Sequence, residues 1–323
     1  MTAPGRIVLA GIDEAGLGPL LGSLAIGYCV LTSPACDTDP WKRLRGTVAK
    51  KPGKRARLVV ADSKLVFQRT LQGARRLETT VLSFLAQRSA GRIERDPARF
   101  LFGALAPDPA WCALPWRAEL PPLPCSSEPD SLELRSALLA RALAAAELEL
   151  LDVGVRLVPA GELNASYEET GNKAQSVWNK VLEVLHLVWA RRTIAPVRTT
   201  VDMLGGRRRY GSLLGRAFPG VEVRLVAESA GRSAYALADR SGSMELEFLV
   251  QGDRKVFATA LASCCAKYAR ELEMRALNDY FAGLQPELRP TAGYRGDGAR
   301  WLAEAAPALA RSGVPRAALV RER

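Results

Sequence analysis

The stretch Arg6-Ile7-Val8-Leu9-Ala10-Gly11-Ile12-Asp13-Glu14-Ala15-Gly16-Leu17-Gly18-Pro19 decides how this chain is read. Residues 6–12 are apolar and partly β-branched, which predicts a buried strand. Two adjacent acids end it, and Gly16, Gly18 and Pro19 then supply a turn. Residues 22–31 (GSLAIGYCVL) read as a second strand, so the pair predicts a hairpin with two carboxylates at its bend. Successive strand residues face opposite sides. Both acids therefore serve one site only where the backbone turns, which the glycines permit. The spacing Gly16-x-Gly18-x-x-x-Gly22 is also a loose form of a dinucleotide-binding loop. Two features oppose it: the acids stand where pyrophosphate charge would lie, and Pro19 has no N–H to offer an anion.

Outward from this stretch, strands and helices intersperse. Residues 66–89 carry a helical period. Residues 106–130 contain seven prolines, which predicts an extended loop or insertion. Helices are expected at 131–151 and 173–191, and as one long element at 254–283. Strands are expected at 153–160, 198–204 and 221–229, with a hairpin around Ser241-Gly242-Ser243. His186, the sole histidine, sits among apolar helix residues and reads as core. Residues 298–323 read as a short helix and a basic tail. There are no repeats, and the class is α/β.

Composition narrows the function. With 323 residues, 48% hydrophobic and 24% charged, the chain is neither wholly disordered nor a fibrous rod. Lys and Arg number 45 against 34 Asp and Glu, a net charge of +11 that favours a polyanionic partner, nucleic acid or an anionic membrane surface. The six cysteines have no C-x-x-C spacing, so free thiols in a reducing cytoplasm fit better than zinc or disulfides. No apolar run reaches the roughly 20 residues of a spanning helix.

Asp202 ends its strand and is followed by Arg207-Arg208-Arg209, which reads either as phosphate-neutralising or as a solvated face. On the long helix, Cys264, Lys267 and Glu271 share one face, where Lys267 and Glu271 also make an ordinary i,i+4 ion pair. Asp13, Glu14, Asp202 and Glu271 stand at element ends or on half-buried faces. Two like charges about 4 Å apart repel by about 4 kcal/mol at an effective dielectric near 20. A pocket gathering such acids needs cations. Oxygen-only ligands point to Mg²⁺ or Mn²⁺, and two such ions roughly 3.5–4 Å apart clamp a phosphodiester.

These blocks resemble the ribonuclease HII (type 2 ribonuclease H) family. Residues 11–19, GIDEAGLGP, are similar to its G-[VI]-DEAGRGP block; Asp62-Ser63-Lys64 to its DSK block; Thr200-Val201-Asp202 to its third-carboxylate strand. Gly252-Asp253 with residues 262–271 (ASCCAKYARE) resembles the GD…AASxxAKVxRD helix, and Gly293-Tyr294 a C-terminal element, all in family order. The resemblance implies an RNase H-like fold, a five-stranded mixed sheet with helices on both sides and a helical C-terminal segment. It implies a catalytic domain over 1–285, with insertions near 90–130 and an extra hairpin near 230–250, and a C-terminal segment over 286–323.

The implied activity is endonucleolytic cleavage of the RNA strand of RNA–DNA hybrids, or at ribonucleotides embedded in duplex DNA, by a cytoplasmic enzyme expected to be monomeric and membrane-free. Asp13, Glu14, Asp202 and Glu271 would hold Mg²⁺ or Mn²⁺. Gly16, Leu17, Gly18, Ser63, Lys64, Arg207, Lys267 and Tyr294 would contact nucleic acid, with Tyr294 and the Gly16–Gly18 backbone reading the 2′-hydroxyl. Departures from the pattern are Leu17 for the family arginine, Glu271 for an aspartate, and Pro290-Thr291-Ala292 where a histidine is usual. They leave open the alternative of a nucleic-acid binder that has lost catalysis.

Overall fold

The computed structural model describes residues 5–53, 57–103, 105–107, 109, 113–118 and 120–322. Cys112 lies outside them; the five described cysteines are free thiols. Strands β1 (Arg6–Ala15) and β2 (Leu24–Pro34) form the expected hairpin, antiparallel from Arg6↔Pro34 to Ala15↔Ala25. This excludes the dinucleotide loop, because that motif needs a helix crossing over to a parallel neighbour. The remaining strands are β3 (Val48–Ala49), β4 (Leu58–Val59), β5 (Glu149–Val158), β6 (Val197–Asp202), β7 (Glu222–Glu228), β8 (Arg232–Asp239) and β9 (Gly242–Leu249). The main sheet has the order β5-β2-β1-β6-β9-β8-β7, and β1, β6 and β9 are mutually parallel.

The sheet is mixed and flanked by helices, but among the described residues it counts seven strands rather than five. The stretch 230–250, read as an extra hairpin, supplies β9, which pairs with β6 along its length. It is an integral part of the sheet, and β8 and β7 extend the sheet beyond it.

Alternation explains the two layers. Leu9, Ala25, Cys29 and Leu31 face one core with the long helix Phe257–Leu284 and the helices Leu71–Gln87 and Pro129–Ala145. Val8, Ala10, Ile12, Ile26 and Tyr28 face the other, with the helix Lys173–Trp189. Strands buried on both faces read as continuous apolar runs, as β1 and β2 do.

The long helix lies flush on the sheet. A Cβ on Gly11 would come 2.0 Å from Thr259 N, and one on Gly27 would come 2.0 Å from Ala262 O. The predicted helix at 254–283 is two elements: a turn Gly252–Lys255, then a break at Val256, whose φ of −122° and ψ of 126° are extended. The helix predicted through 151 stops at Ala145, because Glu147 turns left-handed at φ 51° and residues 149–151 join β5.

His186 is not core. It stands on the exposed face of its helix, against Phe218 at 4.8 Å between ring centres. The apolar stripe of that helix is Val177, Val181, Val184, Leu185 and Val188, and one step of about 100° turns residue 186 away from it.

Within the Pro-rich stretch, residues 125–127 are pinned to a neighbouring helix. Glu78, buried in the Leu71–Gln87 helix, accepts the N–H groups of Cys125, Ser126 and Ser127 and the hydroxyl of Tyr268. The C-terminal helices Arg295–Glu304, Ala306–Ser312 and Arg316–Leu319 pack Trp301, Ala308 and Leu319 onto Leu277 and Phe281 of the long helix. The basic tail is docked too: Val320 bridges to Leu21, and Arg321 is buried. Among the described residues no helix is long and apolar enough to cross a membrane.

Candidate active site

The site arises because β1 outruns β6. Pairing with β2 continues to Ala15↔Ala25, but pairing with β6 stops at Ile12↔Val201. A notch opens beside residues 13–15 at the carboxyl ends of two parallel strands, a usual place for ligands in such sheets. Asp13, Glu14 and Asp202 each place a carboxylate oxygen there, all within 4.8 Å of one another. Asp13 is buried, and its Oδ1 accepts Glu14 N at 2.8 Å. Asp202 Oδ1 accepts Gly252 N at 2.7 Å. Glu14 Oε2 is buried without a hydrogen-bond partner.

The electrostatics are those of a crowded acidic pocket. Burial, and then the Glu14 charge, push the Asp13 carboxyl well above its ordinary value, against the hydrogen bond from Ser263. Burial and then Asp202 push Glu14 up to about 8. Burial also raises Asp202, against its bond from Gly252. Such clustered shifts mark functional carboxylates more often than structural ones.

The fourth expected acid is not in this group. Glu271 takes Lys267 Nζ in the i,i+4 ion pair and lines a separate groove of about 810 Å³ with Phe67, Thr70, Lys267, Arg270 and Tyr294. The reason is length along the helix. Ser263 faces Asp13, and Glu271 is two turns further, about 12 Å along the axis.

Asp253 stands near the acids instead. It sits in the turn that presents Gly252 to Asp202, and burial followed by the charges of Asp62 and Asp202 lifts it to about 6. Its field reaches both Asp13 and Glu14. Asp253 lies within the Gly252-Asp253 motif, but the pattern along the chain singles out the acid on the helix proper, Glu271.

Asp62-Ser63-Lys64 comes to the same place. Asp62 Oδ1 caps Lys64 N at 2.9 Å, and its Oδ2 accepts Arg254 Nε and Nη2 at 3.0 and 2.9 Å. Ser63 bonds Ser263 at 3.1 Å. The Lys64 charge acts on Glu14, Asp202 and Asp253, lowering each.

The groove holds the remaining predicted residues. Lys267 lies over the Phe67 ring at 4.6 Å, and Tyr294 is half exposed. Gly16, at φ 90°, lies against the Arg270 side chain, which also donates to Ser23 O, Leu21 O and Ala292 O. Gly293 O accepts Leu20 N and Leu21 N, which ties the Gly16–Gly22 loop to the Tyr294 segment. Leu17 turns inward and packs on the core, while Gly18 borders open space. Arg207 is half-buried in the loop after Asp202, and Arg208 and Arg209 are exposed.

No family model matches the sequence, and no curated protein matches it. Among solved structures, the chain is similar to the ribonuclease H2 from Pyrococcus horikoshii OT3, at 18% identity over 97% of this chain and 92% of that one, with a TM-score of 0.42. It is similar to RNase HII of Archaeoglobus fulgidus, solved with PCNA, at 14% identity over 98% and 94%, with a TM-score of 0.42. It is also similar to Bst-RNase HIII in complex with Mn²⁺, at 13% identity over 98% and 66%, with a TM-score of 0.40.

Proposed function

We propose that the chain is a divalent-metal endoribonuclease acting on RNA paired with DNA. The observation that carries this reading is the convergence of Asp13, Glu14 and Asp202 within 4.8 Å around a buried Glu14 oxygen that has no partner. The donor set is hard oxygen throughout, which fits Mg²⁺ or Mn²⁺ and not a soft metal. When bound, such ions polarise the phosphoryl oxygen and make water a stronger nucleophile.

The chain's own residues do the rest. Asp13, Glu14 and Asp202, with Asp253 beside them, supply the negative charge that would hold the cations. Lys64 places a positive charge next to the acids, where a scissile phosphate would otherwise be repelled. The Asp62–Arg254 pair holds the turn that carries Lys64. The groove of Phe67, Lys267 and Tyr294 continues from that turn and receives the strand, a stacking surface with a cation at its base. The Gly16–Gly18 backbone and Tyr294 read the ribose.

Leu17 presents no polar atom to the substrate backbone, which favours an extended hybrid over a single embedded ribonucleotide. The case for a binder without catalysis rested partly on Glu271 as an imperfect metal ligand. With Asp253 as the fourth acid, Glu271 carries no such requirement.

The test is cleavage of a labelled RNA–DNA hybrid, and of a duplex with one ribonucleotide, in Mg²⁺ and in Mn²⁺. Wild type is expected to cut the hybrid, and Asp13→Asn to lose at least a hundredfold. No cleavage of either substrate by wild type, or an undiminished rate in Asp13→Asn, overturns the reading.

A further inference from the structure

A second charged cavity lies outside the acid cluster, where the C-terminal tail meets the Gly16–Gly22 loop. Its centre is Arg321, only 6% exposed. Arg321 Nε donates to Gly22 O at 2.7 Å and Nη1 donates to Gly16 O, whereas Nη2 is buried with no hydrogen-bond partner. A guanidinium has five donors in a fixed fork, and leaving the two on Nη2 buried and unpaired is costly.

No carboxylate is paired with Arg321 among the described residues. Its charged neighbour is a second buried guanidinium, Arg270, and burial followed by that repulsion brings Arg321 down to about 9. Both arginines spend their other donors on loop carbonyls.

Arg321 lines a cavity of about 250 Å³ with Gly18, Pro19, Lys173 and Arg295, and Glu322 at its rim. Lys173 and Arg295 are exposed and come from two different helices. Three cations against one carboxylate leave a surplus of two positive charges around the opening. Gly18 borders open space, so nothing of the protein fills it from the loop side.

We propose that this cavity is a phosphate subsite: it binds one phosphate group between Arg321, Lys173 and Arg295, and its occupant during turnover is a backbone phosphate of the nucleic acid held at the acid cluster. The identity of that occupant rests on the nuclease reading; the binding of phosphate does not. A tetrahedral anion suits the site because it accepts from several directions at once and is matched by a guanidinium fork. Arg321 also ties Gly16 O to Gly22 O, so an anion on its free Nη2 would firm the loop that leads out of the acidic strand.

The experiment has two arms, both in EDTA so that the acid cluster recruits no phosphate through a metal. In the first, thermal unfolding of the full chain is followed while inorganic phosphate replaces chloride at constant ionic strength. Wild type is expected to gain stability saturably. Lys173→Ala/Arg295→Ala, which alters only exposed side chains, is expected to need at least tenfold more phosphate, and Arg321→Lys to bind more weakly than wild type while remaining folded.

In the second arm, binding of a labelled hybrid is measured against salt. Each lost phosphate contact lowers the slope of log K on log salt by about 0.9, and the cavity holds one phosphate, so the double variant should lose about 0.9. No phosphate response in wild type, or an equal response in the double variant, overturns the subsite. A phosphate response with an unchanged salt slope supports the subsite and overturns the backbone phosphate as its occupant in favour of free phosphate. Failure of wild type to bind the hybrid at all counts against the nuclease reading, while the first arm still decides the subsite.

Discussion

Asp13→Asn should stabilise the metal-free protein while abolishing its activity. Carboxylate oxygens of Asp13, Glu14 and Asp202 lie within 4.8 Å. Two full charges at that spacing repel by about 3.5 kcal/mol at an effective dielectric near 20. The protein relieves part of this by retaining protons, since burial and then the neighbouring acid raise Asp13, and raise Glu14 to about 8. A carboxyl raised in the folded state leaves the native protein with more bound protons than the unfolded chain. Stability is therefore full below the ordinary Glu value of 4.5 and falls as pH rises toward about 8.

Asparagine keeps Oδ1 as acceptor for Glu14 N and removes only the charge. The gain should be about 1–3 kcal/mol at pH 8, below the full repulsion because protons already offset some of it, and close to zero near the unfolded carboxyl range. Urea unfolding in EDTA at several pH values reads this as a shifted midpoint at unchanged slope. Adding Mn²⁺ should reverse the order, because wild type gains a ligand-bound state that the variant lacks. A variant less stable than wild type in EDTA at pH 8, or one that Mn²⁺ stabilises equally, refutes the view that these three acids share one charge-crowded pocket.

Asp253→Asn should lower Mn²⁺ affinity and hybrid cleavage by at least tenfold, whereas Glu271→Gln should change the metal titration by less than about threefold; calorimetry and cleavage assays together separate the two acids. Gly27→Ala should destabilise by about 3 kcal/mol in denaturant unfolding, because its Cβ would meet Ala262 O at 2.0 Å; Gly283→Ala, with nothing within 4 Å in the same helix, should stabilise by about 0.5 kcal/mol. Burial works against Asp297, but hydrogen bonds from Arg300, Thr291 and Ala292 N outweigh it and hold the carboxyl at about 2. Its contribution is present above the ordinary value of 3.8 and lost as pH falls toward about 2. Asp297→Asn should therefore flatten the acid limb of the stability profile by at most about 1 kcal/mol, since the group is partly exposed.

The sequence by itself determined the paired apolar strands, the turn that follows the acids, the long helix and the three carboxylates that cluster, Asp13, Glu14 and Asp202. Those features are local: a buried strand, a glycine turn and an amphipathic helix each announce themselves within a dozen residues. It also pointed to the segments of Ser63, Lys64 and Tyr294, which the fold brings beside the acids or into the neighbouring groove. Only the tertiary structure separates Asp253, which stands near the acid cluster, from Glu271, which lines a neighbouring groove. Both lie in the same motif, and the choice depends on where Gly11 and Gly27 let the long helix settle on the sheet and on the extended break at Val256. Neither is written in helical period.

The same holds for the second half of the 230–250 hairpin, whose alternation is satisfied equally by an appended hairpin and by a central strand; pairing with β6 made it central. Residue 186 failed for a geometric reason, since apolar neighbours in sequence lie on other faces of a helix. The C-terminal residues read only as a basic tail. Its burial follows from carbonyls of the Gly16–Gly22 loop that only the folded chain brings to Arg321. Local pattern records which face a residue turns toward the core; the meeting of residues hundreds of positions apart is a property of the packed chain alone.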